Sequence, residues 1–429
     1  MFNFLPENDR LESGLSIYKA AQNSVFYQKK YSGIIEPKDY DSWRKLPLLT
    51  RDEIYQNTFP RTRDMLTMPL ENMIVISTGG SSGTARYTVY THEEWDLFCD
   101  TQAKVLKIFG IKPDDRVANL FIAGHMWPSF LGLHETIKRV HAVHLPISSN
   151  IPPDEIFDLC VEFDASVIIS LPTLFIFMAD LAQKTGKKLP SLRLLCYAGE
   201  QLSPEGEKHV RQSLGVSEIR PAAYTSSDAG LMGYPCKHCE NGIYHIPTDF
   251  QFIEILNPDT LEPVNNGEKG VIVVTNLGRK SFPIIRYMIG DDGIILNEPC
   301  ACGDPNPRFK LMGRSGDVFK LGGGFISMAE FEKALSETES LFSLNYNIEI
   351  TDIKNQVEIV FSVEAADTQK AEKGKEKLYE AILERVKEFK VGLNLGYIKN
   401  FEIKVLELGK LPRNPRTGKI KRLFDRRIG

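Results

Sequence analysis

Between residues 116 and 224 the chain repeats one pattern. A short apolar run is followed by a segment with a helical start. The runs are RVANLF, AVHLPIS, SVIISLP, LRLLCYAG and EIRPAAY. Helical starts stand at Pro152-Pro153-Asp154 and Ser203-Pro204-Glu205, where proline fits the first turn and an acid follows. This rhythm leaves few solutions: an open, largely parallel sheet covered by helices. In such sheets ligands sit at the carboxyl ends of the strands, where the loops gather.

The flanks have other textures. Up to about residue 70 the pattern predicts helices and then a loop rich in Pro and Arg. Residues 73–77, MIVIS, read as a short buried strand, followed by a Gly/Ser loop and a second strand-like run, ARYTVYT. Thr91-His-Glu-Glu94 has the spacing of a capping box, and the helix it starts carries Trp95, Phe98, Val105 and Phe109 near one face. From about residue 235 to 313 strands and turns dominate. From Arg314 onward a strand, a Gly322-Gly323-Gly324 turn, a helix, two strands, one long charged helix and a further strand predict a small α+β domain. The expected division is therefore residues 1–313, α/β with a β-rich part, and residues 314–429. Gly313 and Gly316 suit a hinge between them.

Lys and Arg number 52 against 56 Asp and Glu, a formal charge of −4. That balance provides no global field for nucleic acid or an anionic membrane. The start, MFNFLPENDR, lacks a basic region followed by an apolar core. The longest uncharged apolar stretch, Ala165 to Ala179, is short and interrupted by Pro172. The expectation is a cytoplasmic protein. Four of the seven cysteines fall in two pairs, Cys236-x2-Cys239 and Cys300-x-Cys302, a clustering that points to metal sooner than to disulfides.

Five motifs can carry chemistry. In Ser77-Thr78-Gly79-Gly80-Ser81-Ser82-Gly83-Thr84 the glycines let backbone N–H groups converge on phosphate oxygens, the hydroxyls add donors, and Arg86 adds charge. Gly79-x-Ser81-x-Gly83 also fits a hydrolase nucleophile elbow, but that needs a helix after the serine, and ARYTVYT reads as a strand. No Gly-Lys-Ser/Thr completes a Walker loop. A polar hairpin loop is the plain alternative. Tyr224-Thr225-Ser226-Ser227-Asp228 sets an aromatic beside hydroxyls and a carboxylate, suited to a base and a metal-phosphate or to a solvated loop. Asp291, in Arg286-Tyr-Met-Ile-Gly-Asp291-Asp292, is placed to accept two sugar hydroxyls or to close a turn. Gly313-Arg314-Ser-Gly316-Asp317 lies at the expected boundary. The fifth motif is LPRNPRTGKIK, residues 411–421. From Lys410 to Arg427 there are eight Lys/Arg and one acid, which by itself suits a basic solvated tail equally well.

Together the five are far more specific than any one. Their order and spacing resemble the adenylate-forming acyl-CoA synthetase superfamily, and in detail the phenylacetate–CoA ligases. The likeness runs from FYQKKYSG and WRKLPLLTRDEI to LPRNPRTGKIKRLFDRR. It implies a large α/β domain and a small mobile lid. A carboxylate would attack the α-phosphorus of ATP, giving an acyl-adenylate and pyrophosphate. The thiol of coenzyme A would then displace AMP after the lid rotates. Thr78 to Thr84 would cradle the β- and γ-phosphates. Tyr224 would stack on adenine, residues 225–227 and the Gly199-Glu200 segment would line the nucleotide site, and Asp228 would hold Mg²⁺. Asp291, helped by Arg314, would bind the ribose. Lys419 would reach the carboxylate and α-phosphate, and Gly322 and Gly323 would line the thiol tunnel.

Three positions depart from the family pattern. Asp228 stands where Glu is usual, Arg86 replaces the usual Lys, and Gly316 stands at the usual hinge Asp or Lys. The four clustered cysteines would hold a structural Zn²⁺, as in some relatives, with His238 or His245 able to replace a thiolate. Free thiols in neighbouring loops are the alternative. His125-Met-Trp127-Pro-Ser-Phe130 falls where the resemblance implies acyl-pocket residues, and its aromatics suit an aryl acid or core packing. Two other functions stay open: an adenylating enzyme passing its acyl group to a carrier-protein thiol or an amine, and a silent nucleotide-binding homologue. A homodimer is compatible with the family.

Overall fold

The computed structural model describes residues 2–78, 86–240, 242–314, 318–321, 324–338, 341–353 and 356–427. The chain is mixed α/β and divides into two compact units. One comprises Met1–Asp115, Ala123–His144 and Pro221–Ser315, the other Arg116–Ile122, Leu145–Arg220 and Gly316–Gly429. The expected hinge residue Gly316 and the turn glycines Gly322 and Gly323 lie outside the described residues.

In the first unit, strands Met73–Ser77 and Tyr87–Thr91 pair antiparallel, with Ser77 opposite Tyr87. The segment after the Gly/Ser loop is thus a strand, which excludes the strand–turn–helix geometry of a nucleophile elbow. Helix His92–Ile108 begins where its sequence signal lies: the Thr91 side chain accepts from the Glu94 N–H, and Glu94 reaches back to the Thr91 N–H. An antiparallel sheet of five strands follows, in the order Ile243–His245, Arg308–Arg314, Tyr287–Leu296, Lys269–Asn276, Gln251–Leu256. Helix Glu7–Ala21 packs on this sheet, and Gly14 lets it come close to the Trp43 ring: a Cβ there would stand 3.1 Å from that ring. Trp43 itself stacks on Phe252 at 5.9 Å between centroids.

The second unit holds the parallel strands that the βα rhythm predicted. Arg116–Asn119, Val167–Ser170 and Leu194–Tyr197 run parallel, with Val117, Val167 and Leu194 in register. All four residues of each of the latter two strands are buried, which explains why they read as unbroken apolar runs. Helix Pro204–Leu214 is capped by Ser203, whose hydroxyl accepts from the Gly206 N–H. The same unit contains a four-stranded sheet ordered Ile398–Glu407, Gln356–Ala365, Tyr346–Ile353, Leu423–Asp425. The long helix expected after residue 367 is two helices, Thr368–Arg385 and Lys387–Leu395. Val386 leaves helical geometry at φ −101° and ψ 77°, and its side chain is buried. Burying that side chain outweighs continuing the helix, and no Pro or Gly marks the break. No helix among the described residues is long and apolar enough to cross a membrane.

One buried cation ties the first unit together. Arg286 donates from Nε and Nη2 to the Glu254 carboxylate, both at 3.1 Å, and from Nη1 to the carbonyls of Arg44 and Leu46. Both side chains of the pair are almost fully enclosed. Removing one member leaves an uncompensated buried charge, which costs about 3–5 kcal/mol. Arg286→Ala is expected to lower unfolding free energy by that order in denaturant titration. A loss under about 1 kcal/mol would show that the pair fastens nothing.

Candidate active site

The Gly/Ser loop is closed at its base by its own neighbours. The Thr78 N–H donates to the Arg86 carbonyl at 2.8 Å, and the Arg86 N–H donates to the Thr78 hydroxyl at 3.1 Å. Residues Gly79, Gly80, Ser81, Ser82, Gly83 and Thr84 lie outside the described residues. Arg86 Nη2 also donates to Asp228 Oδ2 at 2.9 Å. Burial draws the Arg86 guanidinium down, but the Asp228 carboxylate, with Tyr287 and Asp52, leaves it above its usual range. Asp228 is buried, and its Oδ1 has no hydrogen-bond partner among the described residues. A carboxylate oxygen left over in this way fits a cation.

Tyr224 and Asp291 meet: the phenol donates to Asp291 Oδ2 at 2.6 Å. Tyr244 and Phe309 back the Tyr224 ring, with centroids at 6.0 and 5.8 Å. Gly233 makes room for that aromatic group, since a Cβ there would stand 2.7 Å from Tyr244 Cβ. The Ser226 hydroxyl accepts from the Ala229 N–H, and Ser227 donates to the Ser77 carbonyl at 3.3 Å, while Thr225 stands opposite Leu231 in a short hairpin. Arg314 pairs with Asp291 through the backbone register, and its side chain is outside the described set.

The second unit carries Gly199, Glu200 and Lys419. Lys419 Nζ donates to the Gly199 carbonyl. Gly199 has φ +80°, and a Cβ there would lie 3.0 Å from that ammonium. Glu200 accepts from the Thr173 hydroxyl at 2.6 Å.

His125 and Met126 belong to a left-handed turn in the first unit. Gly124, His125 and Met126 have φ of 99°, 52° and 60° in succession. Ser77 pins it, donating from N to Met126 O at 2.7 Å and from Oγ to His125 O at 3.0 Å. Two successive non-glycine residues with positive φ store strain, which persists only where surrounding bonds impose it. Trp127 is mostly buried, and Phe130 lies 6.4 Å from the His144 ring.

The cysteines do gather, in a modified set. Cys236, His245, Cys300 and Cys302 bring one donor atom each within 4.8 Å of one another, and Cys239 touches this group through Cys236 at 3.4 Å. His238 is exposed. His245 Nδ1 lies 3.1 Å from the Asn306 carbonyl, which can only accept, so that nitrogen carries the proton. Its Nε2 is then a lone pair facing Cys302 Sγ at 3.5 Å. A metal-binding imidazole is oriented in this way, its other ring nitrogen donating to a carbonyl. Burial pushes Cys236 up to about 11 and Cys302 up to about 12. It acts on Cys300 too, but donors from Cys302 and Cys236 bring that thiol below its usual range. The donor set fits Zn²⁺.

Sequence reasoning did not single out Arg279. It is buried, donates to the Asp228 carbonyl at 2.7 Å and to Val89 O, and lies over the Tyr90 ring at 3.8 Å. A cation between apolar strands, in Gly278-Arg279-Lys280, was the available signal. Because Arg86 is the hydrogen-bonding partner of the buried Asp228 side chain, Arg86→Met is expected to destabilise the protein by about 3–5 kcal/mol, with Arg86→Lys recovering part. Calorimetric melting of the three proteins checks this, and equal melting temperatures would contradict it.

Residues 152–278 match the family model described as AMP-binding enzyme. The phenylacetate-coenzyme A ligase of Thermus thermophilus is 24% identical over 92% of this chain and 90% of its own. That of Escherichia coli is 23% identical over 95% and 92%. Among solved structures, a 2-hydroxyisobutyryl-CoA ligase in the postadenylation state with R3-HIB-AMP superposes with a TM-score of 0.79 at 18% identity, covering 99% of this chain and 94% of that one. The chain is phenylacetate–CoA ligase-like in sequence along nearly its full length, and in fold it is like an adenylate-forming CoA ligase.

Proposed function

We propose that the protein is an AMP-forming acid–thiol ligase: it activates a carboxylic acid, of aryl type, with ATP and passes the acyl group to coenzyme A. The observation that carries this is the Lys419 ammonium brought to the Gly199 carbonyl by the C-terminal LPRNPRTGKIK segment. An ammonium on that segment would stabilise negative charge developing on the carboxylate and α-phosphate. The Tyr224–Asp291 pair supports a nucleoside site. A ring backed by aromatics offers a stacking face, and a carboxylate oriented by a phenol accepts ribose hydroxyls. The loop from residue 78 to 84 would hold the β- and γ-phosphates, with Arg86 at its base.

Asp228 would hold Mg²⁺ through Oδ1, and the ion would offset phosphate charge. Arg86 already neutralises Oδ2, so this carboxylate meets the cation with one oxygen engaged. Residues 314–429 would move as a lid between half-reactions, with Gly322 and Gly323 lining the thiol path and Arg314 joining Asp291 at the ribose. His125, Trp127 and Phe130 would border the acyl group. Zn²⁺ at the cysteine–histidine group would be structural, fastening the hairpin before Ile243 to the loop before Arg308. The setting of such a ligase is the cytoplasm.

Lys419→Ala is expected to abolish acid-dependent pyrophosphate exchange and to leave thioester formation from a supplied acyl-adenylate largely intact. Single-turnover assays of each half-reaction decide, and equal loss in both would remove this role. The purified protein is expected to contain about one Zn²⁺ per chain. Cys236→Ser should lower zinc content and melting temperature far more than turnover of the folded fraction. Elemental analysis showing no zinc, with the thiols promptly titratable in the native protein, would leave the group as ordinary cysteines.

A further inference from the structure

The Lys419 loop has an anchor that none of the motifs contains. Glu364 lies next to the last residue of strand Gln356–Ala365, and its side chain is fully enclosed. Its carboxylate accepts from the Leu411 N–H at 2.9 Å and from Arg413 Nη2 at 3.3 and 3.2 Å. Burial pushes the Glu364 carboxyl up, and Arg413 with the Leu411 and Gly409 N–H groups opposes this. A carboxylate so enclosed is costly unless paired, and an apolar pair of similar volume would often be more stable. The ion pair therefore needs a reason other than stability.

The reason lies in what Arg413 begins. From Arg413 the chain closes a tight hairpin, with Arg413 bridging to Ile420. The Asn414 N–H donates to Lys419 O, and the Gly418 N–H donates to Asn414 O, both at 2.8 Å. Asn414 Oδ1 accepts from the Arg416 N–H at 2.9 Å, and the Thr417 hydroxyl accepts from the Lys419 N–H at 3.3 Å. Ile420 thus stands across the hairpin base from Arg413, and Lys419 stands one residue further in, opposite Asn414. The Arg413 guanidinium also lies over the Phe177 ring at 5.8 Å. A lysine side chain is a long flexible stem that does not fix its own head group. The Gly199 carbonyl receives its head group, but where the stem starts depends on the backbone beneath it, and Glu364 holds that backbone.

We propose that Glu364, acting through Arg413, is the positioning residue for Lys419 in adenylate formation. This rests on the ligase reading above. A misplacement of about 1 Å in a reacting group can cost a hundredfold in rate. Glu364→Gln keeps the shape and removes the charge. Arg413→Met keeps the stem and removes the guanidinium at a partly exposed position, so it serves where Glu364→Gln does not fold. Each is expected to lower kcat of acid-dependent pyrophosphate exchange about ten- to a hundredfold. The KM for ATP and the rate of thioester formation from supplied acyl-adenylate should stay within about twofold. The double variant should be no slower than the slower single, because the two residues act as one unit.

Three results would overturn the proposal: equal loss in both half-reactions, unchanged exchange in folded Arg413→Met, or losses that multiply in the double variant. Wild type and Lys419→Ala run alongside. Exchange by wild type but not by Lys419→Ala, with Arg413→Met like wild type, sinks this inference alone. No acid-dependent exchange by wild type with any aryl or aliphatic acid sinks the ligase reading and this inference with it.

Discussion

The first unit depends on a single side chain, the guanidinium of Arg286. It joins the sheet, through Glu254, to the chain entering helix Arg51–Asn57, through the Arg44 and Leu46 carbonyls. Its backbone takes part as well: the N–H donates to the Thr275 hydroxyl at 2.9 Å, and the carbonyl accepts from the Leu49 N–H at the same distance. Arg286 reaches this position with φ 47°, a conformation that costs a non-glycine residue energy. Strand Tyr287–Leu296, which carries Asp291, starts immediately afterward. The height and direction of that strand follow from how the arginine is held.

The same device recurs at residues proposed for the site. Arg279 takes hold of the Asp228 carbonyl while Arg86 takes hold of its carboxylate. Glu364 holds the hairpin that presents Lys419. Each uses charge-assisted bonds, which are short-ranged, directional and roughly twice as strong as neutral ones. Apolar packing places these elements to within a side chain's tolerance. The buried charges then select one arrangement among those that packing alone would accept.

What was legible in the sequence is what is local or periodic. The capping box at Thr91 and the cap at Ser203 are decided within four residues. The parallel strands show as apolar runs because both of their faces are covered. The mixed α/β class and the motif order follow from those signals. One long-range grouping was legible, that of Cys236 with Cys300 and Cys302, because paired thiols call for a common ion; the buried ion pairs were not. Arg86 and Asp228 are 142 residues apart, and Glu364 and Arg413 are 49 apart; nothing at one member announces the other. His245 lies outside the CxxC spacing and was legible only as one of two candidates with His238; its strand pairs with Arg308–Arg314, and that pairing brings it to the thiols while His238 stays exposed. The helix break at Val386 was hidden for a related reason. Its cause is burial in the second unit, and no breaker residue stands there.

Gly199 carries two demands on one missing atom. Its backbone is left-handed, where a side chain strains the chain, and a Cβ there would crowd the Lys419 ammonium at 3.0 Å. A drifting sequence usually crosses such a position by letting one change soften the need for the next. Here relaxing the turn would not clear the space, and moving the lysine would not relax the turn. The two obstacles are independent, so a substitution at Gly199 needs two separate accommodations, one in the backbone and one in the lysine.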